Sequence, residues 1–134
     1  MILPELDSFN TSFWTGGKNG KLNIFRCQAC GFWIHPPVPY CAACGSREVV
    51  AEAVSGQGTL YCCTSNHMPW MTDADEWQRI IALVELVEQR ALRVLTNLVD
   101  CRADHLHNGM ALEVTFRAFD DVYLPVFRPA TERG

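Results

Sequence analysis

The chain has 134 residues, of which 49% are hydrophobic and 19% charged, and its formal net charge is −4. That balance excludes a disordered polar chain, and a domain of this length buries about two-thirds of the surface its unfolded chain exposes. The eleven basic side chains are scattered and outnumbered by fifteen acidic ones, so the cationic footprint that phosphate neutralisation demands is missing and no nucleic-acid partner is expected. No apolar run approaches the ~18 residues of a membrane span, and Met1-Ile2-Leu3-Pro4-Glu5 lacks the basic start of a signal peptide. A cytoplasmic chain with no membrane partner is the expectation. The seven cysteines are an odd number, and in a reducing compartment they favour a metal over a disulfide framework.

In chain order, Leu6 to Trp14 reads as a short helix capped by Ser8, with Phe9 and Phe13 four apart on one face. Gly16-Gly17-Lys18-Asn19-Gly20 breaks it with a turn. Two copies of Cys-x-x-Cys-Gly follow: Cys27-Gln28-Ala29-Cys30-Gly31, then Cys41-Ala42-Ala43-Cys44-Gly45. From Val54 the texture is β. Gly58–Asn66, Arg79–Leu86, Leu92–Leu98, Leu112–Arg117 and Val122–Phe127 are rich in aliphatic, Thr and aromatic residues and are separated by polar or glycine-bearing segments. Leu112, Val114 and Phe116 alternate with Glu113 and Thr115, which predicts one buried face. Ala103 to Leu106 suits one helical turn, and Asp120-Asp121 suits a hairpin.

Five such strands fit a small closed or partly closed barrel, for which the OB-fold is the common solution. Gly56 and Gly58 stand where the first strand must coil around a barrel corner. The chain therefore reads as mainly β, with an N-terminal helical segment over 1–20, a zinc ribbon over 21–50 and a five-stranded OB-fold barrel over 51–134.

Thiolates flanking a tight turn can point at one ion, and the glycine after each pair lets backbone N–H groups turn toward sulfur. Cys27, Cys30, Cys41 and Cys44 together make a tetrahedral sulfur site that suits Zn²⁺ and also iron. Four protein thiolates leave no open position for water or substrate, so the site is structural. The aromatic, proline-rich loop Phe32 to Tyr40 must cover the metal or dock elsewhere. Cys62 and Cys63, adjacent on a strand and expected on opposite faces, and Cys101 read as small core or surface residues. His67, next to Met68-Pro69-Trp70, reads as a structural histidine, and His35, His105 and His107 carry no stronger signal. No Ser-His-Asp order, carboxylate pair or phosphate-cradling glycine loop stands out, so no catalytic set is expected.

The order of motifs resembles the zinc-ribbon/OB-fold proteins associated with acyl-CoA enzymes, a family once classed as a domain of unknown function. The residues that carry the resemblance are Phe13-Trp14, the two cysteine motifs from Phe25 to Ser46 with Pro36-Pro37 between them, and Ser55-Gly56-Gln57-Gly58-Thr59-Leu60-Tyr61. They continue with His67, Leu83 to Leu86, Leu95 to Val99, and Leu124-Pro125-Val126-Phe127-Arg128-Pro129. The resemblance implies a rubredoxin-like ribbon, an OB barrel, and a role beside thiolase-fold enzymes. Trp70, Leu83 to Leu86 and Leu95 to Val99 look most similar to the accessory subunits of steroid side-chain aldolases, which cleave a β-hydroxyacyl-CoA by retro-aldol chemistry. The chain departs from the pattern at Cys62-Cys63 and in the acidic stretch Thr72 to Glu76.

The expected function is a non-catalytic subunit that supports such an enzyme, in a heterotetramer around an enzyme dimer with acyl-CoA at or near the interface. A ribbon and helix this small cannot bury Phe9, Phe13, Trp14, Phe32, Trp33, Tyr40 and Trp70 together, so some of them should face the partner. His67 and Trp70 are expected near its substrate entrance. A free-standing acyl-CoA-binding protein is the alternative, with Arg26, Arg47 or Arg128 as candidates for the phosphates. A nucleic-acid module is disfavoured by charge and by the absence of stacking aromatics between Arg79 and Leu98.

Overall fold

The computed structural model describes residues 11–35, 37–65, 77–120 and 122–130. Residues 6–10 with Ser8 and Phe9, and residues 66–76 with His67, Trp70 and the acidic stretch, lie outside the described residues, as does Asp121 of the expected hairpin. Helix α1 is Thr11–Thr15, followed directly by a 3-10 turn, Gly16–Asn19. A helix this short has no stability of its own and is held by packing. Phe13 is buried, with its ring edge-on to Trp14 at 4.7 Å and stacked on His35 at 5.0 Å. Asn23 Nδ2 donates to the Ser12 carbonyl at 3.1 Å and ties the helix to the first strand.

Three antiparallel strands form the ribbon sheet: β1 (Leu22–Cys27), β2 (Trp33–Ile34) and β3 (Val49–Val54), in the order β2-β1-β3. The strand β3 was not legible in the sequence. Val-Val-Ala-Glu-Ala-Val carries two alanines and a glutamate, types depleted in strands. Its pairing with β1, from Leu22 opposite Val54 to Cys27 opposite Val49, makes it a strand. It runs across position 50, where the ribbon was expected to give way to the barrel.

The second sheet holds β4 (Gln57–Ser65), β5 (Ile80–Leu86), β6 (Arg93–Asn97), β7 (Ala111–Phe119) and β8 (Val122–Pro129), in the order β6-β5-β4-β7-β8. These are the five strands expected from alternation, with ends moved by one or two residues. The sheet curls into a nearly closed barrel, consistent with an OB-fold. Leu98 bridges Phe127 in parallel, Val99 N–H donates to the Phe127 carbonyl at 2.9 Å, and Thr96 Oγ1 donates to the Pro125 carbonyl at 2.9 Å. That bond satisfies the hydroxyl of Thr96, which is 7% exposed. Gly58 lies in the tightly coiled strand as expected, because a Cβ there would stand 2.6 Å from the Glu85 carbonyl oxygen. The β4–β5 register shifts between Leu60 and Cys62, a bulge at Tyr61. Beyond it every residue to Ser65 is exposed, so Cys62 and Cys63 are both surface thiols where simple alternation would turn one inward.

One apolar core runs through both sheets. Phe13, Leu22, Ile24 and Trp33 belong to the same buried cluster as Leu60, Val84, Leu86, Leu112 and Phe127. The ribbon is therefore fused to the barrel. A polar seam reinforces the join, in the loop between β5 and β6. Gln89 Oε1 accepts from the Trp33 N–H and Gln89 Nε2 donates to the Trp33 carbonyl, both at 2.9 Å. A primary amide carries a donor and an acceptor side by side, so this one side chain pairs the edge of β2 as a neighbouring strand would. The adjacent Glu88 accepts the Ser55 N–H at 2.8 Å.

Gln89→Ala should destabilise the chain by about 1–3 kcal/mol, because two backbone groups at the join lose their partner. Chemical denaturation that finds less than about 0.3 kcal/mol would show that the clamp carries no stability. Burial against Phe13 pushes the His35 pKa down to about 4. The folded state thus favours neutral His35, and its contribution is complete above pH 6.5 and fades as pH falls toward 4. His35→Phe should flatten the loss of stability between those limits, by on the order of 3 kcal/mol relative to the parent chain. Denaturation curves at pH 7, 5.5 and 4.5 measure this, and parallel profiles for the two proteins would refute it.

Candidate metal centre

Each Cys-x-x-Cys-Gly segment folds into the same knuckle. The N–H of the first cysteine bonds five residues ahead, Cys27 to the Phe32 carbonyl and Cys41 to the Ser46 carbonyl, both at 2.8 Å. The glycine N–H returns to the first cysteine, Gly31 to the Cys27 carbonyl at 2.9 Å and Gly45 to the Cys41 carbonyl at 2.7 Å. Closing the turn this way needs a left-handed residue, and Gly31 and Gly45 have φ of 84° and 79°. The two knuckles face each other, and the four Sγ atoms lie within 4.8 Å of one another. The pairs Cys27–Cys44 and Cys30–Cys41 are 3.6 Å apart. Sulfurs around a tetrahedral Zn²⁺ with bonds of ~2.3 Å stand about 3.8 Å apart, whereas a disulfide needs ~2.05 Å. The spacing fits a shared ion.

The electrostatics agree. The Cys30 N–H lies 3.4 Å from Cys27 Sγ, and backbone donation of this kind lowers the Cys27 pKa to about 6. At Cys30 the backbone N–H of Phe32 favours the thiolate, but desolvation and the thiols of Cys44, Cys41 and Cys27 outweigh it and push the pKa up to about 12. Cys44 also moves up: the Ser46 N–H favours its thiolate, and Cys27, desolvation and Cys41 outweigh that. The fold thus favours one thiolate readily and the full set only beside a cation. Cys27 and Cys41 are each 1% exposed and pack with Ile34 in a small cluster flanked by Phe25, Val38 and Val49.

Residues 14–50 match the family profile described as the ChsH2 rubredoxin-like zinc ribbon domain, and residues 51–117 that of the ChsH2 C-terminal OB-fold domain. The chain belongs to the ChsH2 family. Zinc is accordingly the metal of its ribbon. Over 96% of its length this ChsH2-type chain superposes on the whole of a solved chain described as "Ltp2-ChsH2(DUF35) aldolase", with a TM-score of 0.79 and 33% identity. It is 36% identical over 128 residues, 95% of its length, to a probable enoyl-CoA hydratase alpha subunit of Thermomonospora curvata. It is 29% identical over 93 residues, 69% of its length, to a DUF35 domain-containing scaffold protein of Methanocaldococcus jannaschii. The chain spans 39% of the hydratase subunit and 64% of the scaffold protein.

The other residues singled out in the sequence separate into two groups. Phe13 and Trp33, expected toward a partner, are 9% and 8% exposed and sit in this chain's own core. They are buried because the ribbon and barrel share that core. Trp14 is half-buried. Tyr40 and Phe32 face outward, 48% and 37% exposed. Of the arginines considered for phosphate binding, Arg26 pairs with Glu52 at 3.6 Å and lies over the Trp33 ring, and Arg128 pairs with Glu113 at 2.9 Å. Arg79, Arg102 and Arg117 come from three separate elements and line one cleft, a convergence with no local signature in the sequence.

The purified chain should carry about one zinc, and Cys27→Ser should hold well under half of that by metal analysis. Because Trp33 belongs to the barrel core, removing zinc with a chelator should lower the melting temperature of the whole chain. A barrel transition unmoved by chelation would contradict this.

Proposed function

We propose that this chain is the non-catalytic accessory subunit of a thiolase-fold acyl-CoA enzyme, a retro-aldolase acting in steroid side-chain degradation. The observation that supports the reading is the superposition of 96% of this chain on the whole of a solved chain described as "Ltp2-ChsH2(DUF35) aldolase", at 33% identity. The scaffold proteins among its relatives support a binding role, and a closed four-thiolate site supports a structural metal. Cys27, Cys30, Cys41 and Cys44 are the zinc ligands in this proposal. The ribbon over 21–50 and the barrel over 51–134 act as one body in the cytoplasm, and within the N-terminal segment over 1–20 the described residues 11–20 pack on both.

The assembly we infer is a heterotetramer around an enzyme dimer, with acyl-CoA at or near the interface. The burial of Phe13 and Trp33 moves the proposed contact to aromatics that face outward, Tyr40 and Phe32, and to the half-buried Trp14. Phe9 and Trp70 are placed with them on sequence grounds, and His67 near the partner's substrate entrance.

Co-expression with a thiolase-fold aldolase should yield a complex stable in size-exclusion chromatography at micromolar concentration. The double substitution Phe32→Ala, Tyr40→Ala should weaken it by roughly 2 kcal/mol, about thirtyfold in Kd, without changing the melting temperature of the isolated chain. Separate elution, together with an aldolase equally active without this chain, would reject the accessory role.

A further inference from the structure

We propose that the outer face of β4, β5 and β6 is a docking surface for the thiolase-fold partner; the identity of that occupant rests on the accessory-subunit reading above. The observation is an inversion on β6. A sheet with one face on the core and the other in water alternates apolar inside and polar outside. At the centre of β6 the order is reversed. Thr96 is turned inward at 7% exposure, where its hydroxyl needs the Pro125 carbonyl to satisfy it, while the neighbouring Leu95 is 70% exposed. The adjacent strand β5 is apolar on both faces. Ile80, Ala82, Val84 and Leu86 are buried, and Ile81 and Leu83 alternate with them on the outside, half-buried. A strand that is apolar on both faces is suited to lie between two layers.

Pairing gathers the outer side chains into one patch. Leu95 lies opposite Leu83, and Leu83 opposite the exposed Cys62. To one side, Ile81 lies between Asn97 on β6 and Thr64 on β4. To the other, Glu85 lies between Arg93 and Thr59. Arg93 pairs with Glu85 at 3.2 Å, and its guanidinium covers the Tyr61 ring at 3.7 Å. The patch thus has an apolar centre and a polar rim, the anatomy of a protein–protein contact. Glu85 and Arg93 neutralise each other on the rim, so the face suits an apolar protein surface rather than a charged ligand. It also continues into a groove of about 120 Å³, where Leu95 and Asn97 meet Phe13 and Trp14. Trp14 is already placed at the proposed partner contact, so a single docked enzyme would cover both. That continuity favours the enzyme over a second copy of this chain.

Titration of the intact chain and its variants against the thiolase-fold aldolase tests the proposal. Leu95→Glu should weaken binding by about tenfold or more, because the new carboxylate would be desolvated at the centre of the contact. Val50→Glu serves as the control: Val50 is 54% exposed but lies on β3, in the other sheet, and this variant should bind as the parent does. Both side chains are exposed, so melting of the isolated chain should be unchanged. Alkylation of Cys62 by iodoacetamide, read by tandem mass spectrometry, gives a second measurement on the unaltered chain and should slow severalfold in the complex. If the complex forms, Leu95→Glu binds as tightly as the parent and Cys62 stays equally reactive, the docking face is wrong and the accessory role survives. If the parent chain does not bind the aldolase at all, the accessory reading fails and this proposal with it. A chain that sediments as a dimer by itself, and as a monomer when it carries Leu95→Glu, would assign the face to a second copy and overturn the proposal.

Discussion

A three-stranded ribbon this small cannot bury a core of its own, and the rest of the structure follows from that constraint. Its private cluster consists of Cys27, Ile34 and Cys41, with Phe25, Val38 and Val49 around it. Two devices make up the deficit at opposite ends. The four thiolates bind an ion that replaces a hydrophobic centre at the knuckles. At the other end Leu22, Ile24 and Trp33 enter the barrel's core, and Gln89 pairs the exposed edge of β2. Neither the ribbon nor α1 is an appendage: Phe13 fills the same cluster, and Asn23 ties the helix to β1.

Sharing the core determines which aromatics remain for a partner. The outward set includes Tyr40 and Phe32 on the ribbon and Tyr61 on β4, where Arg93 stacks at 3.7 Å. An interface draws most of its energy from a few desolvated aromatic or arginine anchors, so the fold leaves enough outward-facing rings to anchor one. Trp33 fixes the ribbon against the barrel.

Charge follows a similar division. Arg26, Arg93 and Arg128 each neutralise a glutamate across neighbouring strands, the ordinary use of charge on a half-exposed sheet. Arg102 pairs with Asp104 at 3.4 Å, and Arg79, Arg102 and Arg117 all border the cleft beside Trp77. The barrel makes that convergence possible. Its nearly closed curl brings the start of β5, the connection after β6 and the end of β7 to one rim, although these elements are far apart in the chain.

The metal centre and the barrel strands were legible in the sequence because both are encoded locally. The thiolate spacing and the following glycine specify a knuckle within five residues, and the alternation of Leu112, Val114 and Phe116 specifies a strand with one buried face. Long-range pairing decided the rest. Val49–Val54 mixes three valines with two alanines and a glutamate, and its pairing with β1 makes it β3. The bulge at Tyr61, set by pairing with β5, leaves both Cys62 and Cys63 at the surface. Gln89 has no signature in the sequence, since any exposed loop glutamine looks the same until Trp33 is brought to it from 56 residues away. Burial of Phe13 and Trp33 was likewise invisible, because aromatic composition reports how much apolar surface a chain carries and only tertiary packing decides which of it stays in contact with water.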